Sequence, residues 1–286
     1  MVTGTGTEVG KTVVTAALAA SYAGAGARVA VVKPVQTGVR ADEPGDAHEV
    51  SRLSGVSQVC ELTRLADPLA PDSAARLRGI VLPGIKELAE RILGRFSRRD
   101  CSCGRPGSTT TAISARGKRP EVQSRREEDG DGVDDDGVDV VLIEGAGGVL
   151  VRLDGEGGTI ADLAVSLRDA GAEVEVLVVA VAGLGTLNHT ELTVEALRSR
   201  GLEPRGVVIG SWPAEPGLAE RCNLGDLPAV ADVPLLGTVP EGAGSLPPVE
   251  FRRRAPDWLG PSVQSAVGLR AAIVASTASR NAGIRS

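Results

Sequence analysis

The chain has 286 residues, a net charge of −6 and a pI near 5.2, and 42% of its residues are hydrophobic, with only two Trp, one Tyr and two Phe among them. That length suits one large α/β domain or two small ones; the acidic balance argues against nucleic acid as the main partner, and no apolar run is long enough to span a bilayer. Met1 runs straight into Gly4-Thr5-Gly6, and Cys60, Cys101, Cys103 and Cys222 fit neither a zinc site nor a disulfide framework, so a cytoplasmic chain with reduced thiols and no secretory leader is expected.

Apolar β-branched runs alternate with helical patterns, which predicts an α/β fold with a mostly parallel sheet and helices on both faces. The first strand is short: only Met1, Val2 and Thr3 precede Gly4. A central strand usually needs about five or six residues, so the neighbouring strands are expected to lack ladder partners along part of their length, as if the natural chain began upstream. Next comes Gly4-Thr5-Gly6-Thr7-Glu8-Val9-Gly10-Lys11-Thr12, opening a helix at Gly10. Glycines let backbone N–H groups wrap a polyphosphate, and the helix N-terminus adds partial positive charge. Lys11 would reach the outer phosphates and Thr12 would hold Mg2+. The strict motif wants glycine five residues before Gly10; that position is Thr5, so the loop is one residue longer than usual.

A strand at Arg28–Lys33 leads into Pro34-Val35-Gln36-Thr37-Gly38. Lys33 at the sheet edge can neutralise charge developing on a transferred phosphoryl group. A helix near Asp46 follows; Asp46 is either its N-cap or a Mg2+ carboxylate. His48, on the same helix, is expected to be structural or solvated. Residues 97–137 show almost no apolar periodicity. They carry a basic half with Arg116, Lys118, Arg119, Arg125 and Arg126 and an acidic half from Glu127 to Asp136. This segment is expected to be a disordered insertion. The Asp-x-Asp-x-Asp-Gly order of a calcium loop is absent, and Cys101-Ser102-Cys103 is not expected to bind metal.

The strand Asp139–Ile143 ends in Glu144-Gly145-Ala146-Gly147-Gly148, which puts an acid where P-loop enzymes keep a second metal carboxylate. A helix near Thr159, a strand at Glu173–Val181, a turn at Gly183–His189 and a helix near Asn188 follow. Further strands are expected at Arg205–Ile209, ending in a turn at Gly210–Pro213, and at Pro234–Thr238. Ligands of open α/β sheets collect at the carboxyl ends of strands, and every motif above lies on that edge. The organisation predicted is a single domain over 1–260, interrupted at 97–137, with a weakly structured tail over 261–286.

Five motifs in the right order resemble the dethiobiotin synthetase family: Thr3–Thr12, Lys33–Gly38, Asp46 after a glycine, Ile143–Gly148 and Gly183–His189. The likeness covers residues 1 to about 95 and about 139 to 260. It implies a P-loop NTPase-like fold and a Mg2+- and ATP-dependent ligase that closes the ureido ring of dethiobiotin from 7,8-diaminopelargonate and CO2 (or bicarbonate), in biotin biosynthesis. Lys11 and Lys33 would then stabilise phosphate and carbamate charge, and Thr12, Asp46 and Glu144 would handle Mg2+. The nucleotide contacts expected are Glu8, Val9, Gly10, Lys11, Thr12, Val13, Asp46, Glu144, Gly145, Ala146, Gly147, Gly210, Ser211, Pro240, Glu241 and Gly242. Thr37 would contact the diamine. Family members are homodimers, which places Gly185, Thr186, Leu187 and Asn188 at the substrate carboxylate of the other subunit. His189 is expected to order that loop rather than act as a base. Many members read adenine with an asparagine after the fifth strand, where this chain has Gly210-Ser211-Trp212-Pro213. The competing readings are another P-loop ligase and a dimeric ATPase switch; the second, early lysine usual in the loop of such switches is missing here.

Overall fold

The computed structural model describes residues 1–96 and 137–260. The expected insertion, Gly137 excepted, and the expected tail 261–286 lie outside the described residues, and so do Cys101 and Cys103. In chain order the elements are β1 (Val2–Gly4), α1 (Lys11–Gly24), β2 (Val29–Lys33), β3 (Gln36–Thr37), α2 (Asp46–Ser54), β4 (Gln58–Glu61), β5 (Arg64–Leu65), α3 (Pro71–Arg78), α4 (Ile85–Phe96), β6 (Val140–Ile143), α5 (Ile160–Asp169), β7 (Val176–Ala180), α6 (Thr186–Arg198), β8 (Pro204–Trp212), α7 (Leu218–Ala231), β9 (Leu235–Pro240) and α8 (Pro248–Trp258). No helix among them is long and apolar enough to cross a membrane.

The main strands are parallel and fall into two ribbons, β4-β2-β6 and β1-β7-β8-β9. One bridge between Val2 and Glu144 joins them, reinforced by the Gly145 N–H donating to the Val2 carbonyl at 2.9 Å and the Val149 N–H donating to the Gly4 carbonyl at 3.1 Å. β3 and β5 pair separately. β1 is as short as expected, yet all three of its residues pair with β7, Val2 to Leu177 through Gly4 to Val179.

Strands buried on both faces read as continuous apolar runs, and the side chains divide by parity. Val29, Val31, Leu177 and Val179 join a core with Leu18 of α1, Leu53 of α2 and Phe251 of α8. Val32, Ile143, Val176 and Val178 join a second core with Leu88 of α4, Leu163 of α5 and Leu197 of α6. Each such side chain contributes about 1.5–3 kcal/mol when fully buried. Alanines at 16, 17, 19 and 20 keep α1 slim and are almost wholly buried, so the helix seats closely on the sheet behind the phosphate loop. Phe251 and Trp258 meet edge to face at 5.1 Å and anchor α8.

Two boundaries depart from expectation. β8 continues through the predicted Gly210–Pro213 turn to Trp212, carried by pairing of Trp212 with Pro240 and by the Glu241 N–H donating to the Trp212 carbonyl. α6 begins at Thr186, two residues before Asn188, after Gly185 at φ 89°. Thr186, Leu187 and Asn188 are therefore the first turn of a helix and not a loop.

Candidate functional site

The loop between β1 and α1 closes on itself. Lys11 Nζ donates to the Gly6 carbonyl at 2.7 Å, and the Thr5 N–H donates to Val179 of β7. Glu8 sits at φ 60° and Gly10 at φ 92°. A positive φ on a non-glycine residue such as Glu8 costs energy that the surrounding loop must over-determine. Gly10 is required for a second reason: a Cβ there would meet the Gly210 carbonyl oxygen at 2.5 Å, and one on Gly210 would meet the Val9 carbonyl oxygen at 2.0 Å. The phosphate loop thus rests backbone to backbone on β8.

Beside it, the ends of β2 and β6 and the start of α2 bring opposite charges together. Lys33, the last residue of β2, is 2.5 Å from Asp46 Oδ2 and 2.8 Å from Glu144 Oε1, and it also donates to the Gly145 carbonyl at 3.0 Å. Thr12 Oγ1 donates to the same Glu144 oxygen at 3.0 Å. Glu144 Oε2 is buried without a hydrogen-bond partner among the described residues. Burial disfavours the charged form of Lys33, but Glu144 and Asp46 outweigh it and hold its pKa above the usual lysine range. Lys11 goes the other way: burial first, and the Lys33 charge second, lower it to about 8, against the pull of Glu144 and Asp46. A phosphate in the loop would favour the charged form of Lys11 and raise its pKa again.

The structure therefore brings Lys11, Thr12, Lys33, Asp46, Glu144 and Gly145 into one cluster. Asp46 is not the N-cap of α2; Gly45 is, and Asp46 is the first helical residue. The Glu144–Gly148 turn packs on the loop, since a Cβ on Gly147 would meet Thr7 Oγ1 at 3.5 Å and one on Gly148 the Thr5 carbonyl oxygen, also at 3.5 Å. Past β9, Gly244 comes within 3.2 Å, measured from an added Cβ, of Val13 Cγ2, which carries the turn after Pro240, Glu241 and Gly242 to the head of α1. Ser211 is exposed.

Other expected site residues stand apart. Among the described residues no hydrogen bond joins Gly185, Thr186, Leu187 or Asn188 to the lysine–carboxylate cluster; Thr186 Oγ1 donates to the Val181 carbonyl at 2.6 Å instead. His189 is exposed and touches the loop chiefly through its N–H on the Gly185 carbonyl. His189 lines a shallow cavity with Thr5, Leu150 and Leu192. His48 is exposed, as expected.

Two residues that sequence reasoning missed hold the site in place. Gln36 links β3 to α2 through both ends of its amide. Asn223 of α7 donates to the carbonyls of Ala182 and Gly183, fixing the approach to α6. Gln36 lies inside the Lys33–Gly38 motif and carried that much signal; nothing local marks Asn223.

A family model described as an AAA domain matches residues 1–92 and 120–248. A Streptomyces coelicolor protein named ATP-dependent dethiobiotin synthetase BioD is 51% identical over 261 residues, covering 91% of this chain and 91% of its own. A Rhodococcus jostii protein of the same name is 50% identical over 258 residues, covering 90% of this chain and 93% of its own. Among solved structures, the septum site-determining protein MinD of Pyrococcus horikoshii aligns with a TM-score of 0.46 at 16% identity, over 100% of this chain and 96% of that one.

Proposed function

Because the chain belongs to the ATP-dependent dethiobiotin synthetase family, we infer that it is a ligase of biotin biosynthesis that forms the ureido ring of dethiobiotin from 7,8-diaminopelargonate, CO2 and ATP. The observation that carries this reading is the meeting of Lys11, Thr12, Lys33, Asp46 and Glu144 beside one phosphate loop. The chemistry needs no protein nucleophile. One amine takes up CO2 and loses a proton to give a carbamate. A carbamate oxygen attacks the γ-phosphorus of ATP and ADP leaves, giving a carbamic–phosphoric anhydride. The second amine attacks the carbonyl carbon, phosphate departs with the bonding pair, and the ring closes.

The protein's part is positioning and electrostatic stabilisation. The phosphate loop and the start of α1 direct N–H groups toward the nucleotide. Lys11 and Lys33 face charge that builds on the transferring phosphoryl group and on the carbamate. Thr37, next in the chain to the buried Gln36, is the proposed contact for the diamine.

The donor set suits Mg2+. Thr12, Asp46 and Glu144 offer hard oxygens, and Mg2+ in such sites takes one or two carboxylates with the nucleotide's own phosphates. The unpartnered Oε2 of Glu144 fits the same role. When bound, Mg2+ would neutralise charge on the outer phosphates.

A homodimer completes the reading, with Gly185, Thr186, Leu187 and Asn188 of one subunit receiving the substrate carboxylate of the other. The exposed Leu150, Leu184 and Leu192 around that helix start support it: Leu184 is 89% exposed. The cytoplasm is the proposed compartment, consistent with free thiols at Cys60 and Cys222. The decisive assay is phosphate release. It should require diaminopelargonate and bicarbonate together; release with either omitted would overturn the assignment.

A further inference from the structure

We propose that Gln36 is a positioning residue that sets Asp46 and Thr37 relative to each other, and so couples metal binding to diamine binding. Gln36 is 4% exposed. Its Oε1 accepts the Asp46 N–H at 2.9 Å, and its Nε2 donates to the Thr37 carbonyl at 3.0 Å. A backbone N–H can only donate and a carbonyl can only accept, so these partners fix which way the amide faces. The inference rests on the roles proposed above for Asp46 and Thr37.

Three features make the link consequential. Asp46 is the first residue of α2, where N–H groups have no partner within the helix, and the N-cap Gly45 has no side chain to supply one. Gln36 supplies it from another element. Second, Gly45 leaves the room: a Cβ there would lie 2.2 Å from Glu61 Oε1 and 3.0 Å from Gln36 Oε1. Third, the Asp46 carboxylate is 36% exposed and held by Lys33. In the proposed reaction Lys33 also faces the phosphoryl group, whereas the grip of Gln36 on the Asp46 backbone is spent on nothing else. β3 itself is only two residues long, and its own anchoring to β5 includes the Gln36 N–H on the Thr63 carbonyl at 2.8 Å. One short strand and one helix start, each weakly fixed alone, share a single side chain.

The test uses the full chain with Gln36→Met, which keeps the volume and loses both hydrogen bonds, and Gln36→Glu, which keeps the acceptor toward Asp46 and loses the donor toward Thr37. Binding of a non-hydrolysable ATP analogue is followed by calorimetry across a Mg2+ titration, beside steady-state kinetics and thermal melting. Gln36→Met should raise the Mg2+ midpoint roughly fivefold or more and the KM for diaminopelargonate by a similar factor, as the loss of one hydrogen bond at each end would do. Gln36→Glu should return the Mg2+ midpoint to within about twofold of the parent while the diamine KM stays high. A merely structural role would lower the melting temperature in both variants without splitting the two constants, and that outcome overturns the proposal. If Gln36→Met does not fold, the split in Gln36→Glu decides alone. Asp46→Asn separates the two readings. If it shifts the Mg2+ midpoint and Gln36→Met does not, Gln36 has no positioning role. If Asp46→Asn shifts nothing, the metal role of Asp46 fails and takes the coupling with it.

Discussion

Lys33 donates to Glu144 across 2.8 Å with both side chains almost out of solvent, at 4% and 1% exposure. Removing either partner of such a pair strands a buried charge, which typically costs about 3–5 kcal/mol. Lys33→Ala should therefore melt at lower temperature as well as turn over slowly. In the proposed reaction Lys33 acts on developing charge, so kcat should fall by about 10^2-fold or more while nucleotide still binds. Stopped turnover assays paired with nucleotide calorimetry on the folded variant check this; near-normal kcat would remove the assigned role.

Nucleotide choice should be relaxed. Position 210 has no room for an asparagine, because even a Cβ there would press on the Val9 carbonyl of the phosphate loop. In the proposed reading, base contact would fall to backbone groups and the exposed Ser211, and a hydroxyl beside a backbone amide can satisfy more than one base edge. ATP should be used, with CTP and GTP also accepted. The check is kcat/KM for each triphosphate; a preference for ATP by several orders of magnitude would contradict it.

Asp162 makes the acid limb of stability testable away from the site. Its carboxylate completes the capping box at the head of α5, accepting from the N–H and hydroxyl of Thr159, and pairs with Arg200 at 3.0 Å. Burial pushes its pKa up, but the Thr159 bonds and Arg200 prevail and hold it below the ordinary value of 3.8. A depressed carboxylate stabilises the fold above its unfolded-state pKa, and that contribution fades as pH falls through the folded-state value. Asp162→Asn should lower the melting temperature by about 2–4 °C near neutral pH, the size expected for losing a cap of about 1 kcal/mol. The deficit should shrink as the pH drops below 3.8. An equal deficit at all pH values would show that the charge is not what matters.

The dimer reading predicts that Leu184→Asp yields monomers by light scattering and raises the KM for diaminopelargonate without lowering nucleotide affinity. A dimer that persists unchanged, with normal KM, would place the partner surface elsewhere.

The legible parts of this molecule were the ones whose signal is local. Parallel strands buried on both faces are continuous apolar runs, so β2, β6 and β7 stood out, and the glycines and lysines that phosphate chemistry requires sit at fixed spacings beside them. The strand expected at Arg205–Ile209 ends there because Gly210-Ser211-Trp212-Pro213 has the composition of a turn, whereas β8 runs on to Trp212 through its pairing with β9. α7 and α8 carry Pro228 and Pro256 inside them, which weakens the helical pattern, and their helical state rests on tertiary packing such as Phe251 under the sheet. β3 and β5 have two residues each, too few for any period to register. Gln36 and Asn223 bond to backbone groups that only the fold brings near, so no spacing in the chain could announce their partners.

The seam between the two ribbons has a consequence for motion. Lys11 and Thr12 follow β1 on one side, while Lys33 ends β2 and Glu144 follows β6 on the other, and among the described residues one bridge, Val2–Glu144, joins the two ribbons. A nucleotide held at once by the loop and by the carboxylates would act as a rivet across that joint. The amide of Gly145, which donates to Val2 over the seam, becomes a reporter: its deuterium uptake should slow when Mg2+ and nucleotide are added together, more than that of amides deep within either ribbon.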